Sequence, residues 1–213
     1  LKNEKIKGIQ ILNGSFDDTF FKSIQIWIKL LSFGLKKYIY AGNDAHGNFN
    51  YFRQIEVPMI KINQHRNQIL GKCRTGLIMK KNGISGFLDS INNGRCYITN
   101  GPMITLEVNK KRHVFEMGST IKVSKGSSIV KIHIKVKSSN EFGLIENISL
   151  YVGQVKKSYN NNEIEYIKNA KNSTSLTLSY SKVINVKNNL YIRASAKTKK
   201  NYLAYSNPIW IEF

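Results

Sequence analysis
Two cysteines, three prolines and six arginines are all that 213 residues hold of those types. Each shortage excludes something. Cys73 and Cys96 are too few for a secreted disulfide scaffold or an all-thiolate zinc site, so free thiols are expected. The longest apolar stretch, Ile24 to Phe33, is interrupted by Lys29 and falls well short of the roughly 20 residues a membrane helix needs, so no membrane segment is expected in this chain. Acidic side chains are scarce as well, 13 against 33 lysines and arginines, which leaves a formal net charge of +20. Such a balance invites nucleic acid as a partner. The scarcity of arginine argues against it: 27 of the 33 cations are lysine, whereas arginine is the residue suited to planar phosphate and base recognition. The charge is also spread evenly along the chain, and lysine, asparagine and isoleucine are all abundant, as AT-rich coding produces. Weak, salt-sensitive attraction to polyanions follows from the charge alone.

What is present is a core, with 41% hydrophobic residues, and a sequence whose character changes once. Ile6 to Leu12 is an apolar run closed by Asn13-Gly14, a strand and its turn. Ser15, Asp17 and Asp18 offer caps for a helix on which Phe20, Phe21, Ile24, Trp27, Ile28 and Leu31 share a face, and Gly34 stops it. Lys36 to Ala41 returns as a strand. Strand, helix and strand at this length predict a βαβ unit with parallel strands. Residues 48–72 read as a long loop with short structured pieces. A strand at Arg74 to Met79, a helix with Ile84, Phe87, Leu88 and Ile91 on one side, and a strand at Arg95 to Thr99 follow. Asn100-Gly101-Pro102 is a turn and the predicted domain boundary. Beyond it short strands are expected at Ile104 to Val108, Ile129 to Val136, Ile148 to Val152, Leu176 to Tyr180, Leu190 to Ala196 and Pro208 to Phe213, an antiparallel sandwich. The polar stretch from Lys156 to Asn172 predicts an exposed loop or hairpin.

Chemistry concentrates at Asn43-Asp44-Ala45-His46-Gly47. A carboxylate and an imidazole one residue apart lie on the same face of an extended segment, so both reach one metal ion. Here they follow a buried strand directly. The alternative use of the pair is an Asp that caps a turn beside a surface His. Asn43 and Asn48 are placed to orient the ligands, or simply to form the turn. Arg74 and Arg95 are candidates for clamping a substrate anion by bidentate hydrogen bonds, or for a structural salt bridge with Asp89 or Glu56. His65, His113 and His133 do not converge in sequence, and His133 sits between Lys131 and Lys135 on an alternating strand.

Asn43 to Asn50, then Arg74-Thr75, then Gly94 to Pro102, a late Tyr191-Ile192-Arg193-Ala194 and a closing Ser206-Asn207-Pro208-Ile209 come in one order. Together they resemble the C-terminal part of the PHP (polymerase and histidinol phosphatase) superfamily, in its carbaryl-hydrolase-like branch, over nearly the whole chain. The resemblance implies a mixed α and β fold: the C-terminal portion of a PHP-type βα barrel in residues 1–101, then an antiparallel β-sandwich in residues 102–213. It implies a metal-dependent hydrolase, a phosphoesterase using metal-activated water, with a small-molecule or phosphoester substrate. Asp44 and His46 match the family's last metal-binding motif, for Mn, Zn or Fe, with His46 also a candidate catalytic acid. The family's opening His-x-His is missing, so the metal site is incomplete as written, and the missing N-terminal part of the barrel is the expected partner. Gln10 stands where Glu is common in the family. A chain starting at Leu1 is accordingly expected to be a C-terminal portion, with cytoplasmic as the default compartment. The competing expectation is a non-catalytic sandwich that binds a polyanion or glycan, with the preceding part as its platform.

Overall fold
The computed structural model describes residues 6–45, 54–63, 70–124, 126, 128–156, 163–170, 172 and 174–213. The elements run β1 (Gly8–Asn13), α1 (Asp18–Ser32), β2 (Tyr38–Gly42), β3 (Gln54–Val57), β4 (Ile60–Asn63), β5 (Arg74–Leu77), α2 (Ile84–Asn92) and β6 (Cys96–Thr99). Then come β7 (Met103–Lys110), β8 (His113–Glu116), β9 (Thr120–Lys122), β10 (Ser128–Lys137), β11 (Ile145–Gln154), β12 (Ile164–Asn169), β13 (Thr177–Val186), β14 (Leu190–Thr198), β15 (Leu203–Ser206) and β16 (Ile209–Glu212).

Local chemistry explains the first unit. Asp17 caps α1 by accepting the Phe20 N–H at 3.0 Å, and the Ser15 hydroxyl holds its other oxygen at 2.8 Å. Phe20, Ile24, Trp27, Ile28 and Leu31 are buried, as their spacing predicts. Phe21 is not; it is 46% exposed, one position off the stripe. β1 and β2 pair in parallel, the expected βαβ unit.

The expected portion of a βα barrel is not evident among the described residues. Strands predominate, with two helices among the described residues. β5 and β6 run antiparallel to each other, and β6 runs antiparallel to β15. β5 and β6 are thereby strands of a sandwich sheet. The physical reason lies at the outer edge of β2, which is closed by side chains and offers no ladder to a third parallel strand.

Two sheets face each other. One has the order β12-β11-β14-β15-β6-β5, with β16 beside β14 and β9 beside β16; the other has the order β13-β10-β7-β8. Between them lies a core of aliphatic side chains, in which Val130, Ile132, Ile134 and Val136 of β10 meet Ile148, Leu150, Ile192 and Ala194. The opposite face of the larger sheet carries a second core, where Tyr191, Trp210 and Ile98 pack with Trp27, Leu31 and Ile39 of the βαβ unit. β14 is covered on both sides, and eight of its nine residues are buried. A hairpin of β3 and β4 falls within the expected long loop. β12 falls in the polar stretch after Lys156 and pairs antiparallel with β11.

α2 is built inside out. Its buried residues are Gly86 and Ser90, and Ser90 donates to the Ile78 carbonyl at 2.9 Å. The apolar side chains at helical spacing point outward: Ile84 is 79% exposed, Leu88 50% and Phe87 46%.

Candidate functional site
The Asp44 turn is held by an unusual edge. On one side β2 has a strand partner, β1. On the other, side chains replace one. Asn207 accepts the Ile39 N–H on Oδ1 at 2.7 Å and donates Nδ2 to the Ile39 carbonyl at 3.3 Å. The Thr75 hydroxyl accepts the Ala41 N–H at 2.9 Å and reaches the Ala41 carbonyl at 3.3 Å. At the third step the roles reverse: the Asn43 side chain donates to the Cys73 carbonyl at 2.8 Å and accepts the Cys73 N–H at 2.6 Å. Ile39 and Ala41 meet these side chains two residues apart because alternate residues of a strand direct their backbone groups to the same edge. Carboxamides and hydroxyls succeed there because each presents both a donor and an acceptor, as a peptide group does.

Asp44 follows the last clamp and adopts the left-handed region at φ 51°, which Asp tolerates better than most residues. That turn ends the strand and re-aims the chain. His46 and Asn48 lie outside the described residues, as does His65. Gln10 lies beside this end of β2. Its side chain covers Gly42, where a Cβ would come within 2.7 Å of Gln10 Nε2, and it donates to Asn13 at 3.2 Å. A side chain at position 42 would have to displace the Gln10 amide.

The two candidate arginines are not neighbours. Arg74 is opposite Thr99 and Leu77 is opposite Cys96, so Arg95 lies just past the other end of the β5–β6 ladder, about 13 Å along the strand. Arg74 is exposed next to the Cys73–Asn43 clamp, with its guanidinium 5.2 Å from the Phe142 ring centre. Arg95 pairs with Asp89, which also receives the Asn93 amide. Of the two, Arg74 shares an end of the molecule with Asp44.

The later sequence blocks also serve as joints. Arg193 is 4% exposed. It forms a bidentate pair with Glu163 at 2.8 and 2.5 Å and stacks 3.9 Å from the centre of the Tyr151 ring. Phe21, Gln25, Glu165 and Tyr205 border the same cleft of about 310 Å³ between α1 and the larger sheet. Burial pushes the Cys73 thiol up to about 11 and the Cys96 thiol up to about 12, so both stay protonated and inert at neutral pH. Asn207 donates to Cys96 Sγ at 3.0 Å as well.

Among the described residues no group of three or more His, Cys, Asp or Glu side chains gathers where it could hold a metal ion. No helix among them is long and apolar enough to cross a membrane. Sequence reasoning missed Asn207, Thr75 and the Arg193–Glu163 pair as structural elements. For Asn207, Thr75 and Arg193 the one signal was membership in blocks that come in one order, which does not separate a joint from a ligand. No family model and no curated protein matches the chain.

Proposed function
We propose that this chain is the C-terminal portion of a metal-dependent hydrolase, related to the PHP superfamily, that acts on a phosphoester. Asp44 and His46 are its contribution to the metal centre, and Arg74 is its contribution to binding the substrate anion. The observation that carries this reading is the clamped edge of β2. Successive side-chain clamps at Ile39, Ala41 and Asn43 hold a strand in register up to the residue before Asp44. Metal ligands need that kind of support, because the groups around them fix their orientation. An exposed arginine beside the last clamp suits a phosphoester, which guanidinium binds in bidentate fashion.

The donor set is short. Two ligands fall below the four to six that zinc, manganese or iron take, so the others come from residues outside this pair, and no catalytic step is assigned to the chain. Equilibrium dialysis against manganese or zinc, followed by elemental analysis, tests the reading. The wild-type chain should retain metal, and Asp44→Asn and His46→Ala should each weaken retention by roughly 10- to 100-fold. Equal retention in all three would overturn it. Hydrolysis of an aryl phosphate that depends on the same two residues would extend it.

A further inference from the structure
β13 is the outermost strand of the four-stranded sheet, and its ten residues pair with β10 in unbroken antiparallel register. Half of its backbone donors and acceptors therefore point away from β10, and among the described residues no strand takes them. Natural sheets blunt such an edge with proline, a bulge, short length or inward charges. Proline, a bulge and short length are all absent, and the one inward charge is Lys182, on the same face as Leu178, Tyr180 and Ile184. The strand reads Thr-Leu-Ser-Tyr-Ser-Lys-Val-Ile-Asn-Val, and its single charge, Lys182, lies 4.5 Å from the centre of the Tyr166 ring.

Both faces along this edge are unfinished. Toward the core, Leu178, Tyr180 and Ile184 are only partly buried. Toward solvent, β13 presents Thr177, Ser179, Ser181 and Val183, small side chains that are all exposed. Behind them on β10 stand Lys131, Lys135 and Lys137, likewise exposed, opposite Val183, Ser179 and Thr177. A strand added to β13 would lie two strand spacings from these lysines, about 10 Å. A lysine and a glutamate extended toward each other across a serine cover that distance. The carboxylates of this face, Glu107 and Glu116, lie farther off, on β7 and β8.

We propose that the free edge of β13 is a docking edge for an extended acidic polypeptide segment, added as a fifth antiparallel or parallel strand. Its alternate side chains are apolar, closing over Leu178, Tyr180 and Ile184, and acidic, facing Lys131, Lys135 and Lys137. Backbone hydrogen bonds supply affinity and the alternating side chains supply specificity, the mode of recognition by strand addition. Charge selects against the obvious competitor: a second copy of a +20 chain would bring two sets of the same lysines together, which is costly at an interface.

A capped peptide of alternating glutamate and valine tests this, with its lysine–valine counterpart, an oligoglutamate and a single-stranded oligonucleotide of equal charge as comparisons. Binding is read by fluorescence anisotropy and by amide exchange of the protein. The expected result is binding of the glutamate–valine peptide with slowed exchange at Thr177–Val186, and about tenfold weaker binding to the Lys131→Glu, Lys135→Glu double variant. These exposed positions leave the core intact. Binding of oligoglutamate or the oligonucleotide as tightly as the alternating peptide would overturn the proposal in favour of charge alone. Equal binding of the lysine–valine peptide, no binding, or self-association through β13 in sedimentation would overturn it too.

Discussion

β2 and β10 solve the same problem differently. Each must satisfy the backbone groups on both edges. β10 does so with strands, β13 on one side and β7 on the other, over ten and seven paired residues. β2 does so with one strand and with the side chains of Asn207 and Thr75. The difference teaches where information about a strand resides. A strand held by ladders is written in its own alternation, apolar inward and charged outward. A strand held by side chains is written in residues far away: Asn207 is 168 positions from Ile39.

Substitutions can break that comparison from either side. The largest effect belongs to the ladder-built core. Ile132→Ala, at a fully buried position, should cost about 3–4 kcal/mol in urea unfolding. Asn207→Ala should come next, at about 3 kcal/mol, because it strands the buried N–H and carbonyl of Ile39. A cost under about 1 kcal/mol would mean that β2 does not depend on its side-chain edge. Thr75→Val keeps the shape and removes both bonds to Ala41, and should cost about 1–2 kcal/mol.

The smallest effect is that of Asp17→Ala at the α1 cap, about 1 kcal/mol near neutral pH. Its sign with pH is fixed. The Phe20 N–H, then the Ser15 hydroxyl, hold the Asp17 carboxyl below its ordinary 3.8. The stabilisation is therefore complete above 3.8 and is lost as pH falls through the lower folded value. The gap between wild type and variant should close on acidification, and a gap that widened would contradict the cap.

These cases mark how far sequence reaches. The alternation of β10, the Asp17 cap and the apolar stripe of α1 were all legible, because each is a local pattern with a local cause. The direction of β5 and β6 was not, since a four-residue apolar strand specifies burial and leaves its partner open. That is how a sandwich strand was read as part of a barrel. α2 misled for the opposite reason. Its spacing is correctly helical, but Gly86 and Ser90 allow close approach of the backbone, and the chain buries them in place of Ile84, Phe87 and Leu88. In the candidate site, Asp44 stands at a strand end as read. Asn43 holds the chain beside it, through Cys73. The separation of Arg74 from Arg95 depends on an antiparallel pairing that no motif announces.

The most direct measurement is a manganese titration of the isotope-labelled chain, followed by amide line broadening in NMR. Manganese bound at the end of β2 should broaden signals around Gly42 to His46 and Cys73 to Thr75 first, and Asp44→Asn should abolish the effect. Broadening that begins at Glu107 and Glu116, or that Asp44→Asn leaves unchanged, would contradict a metal ligand at the end of this clamped strand.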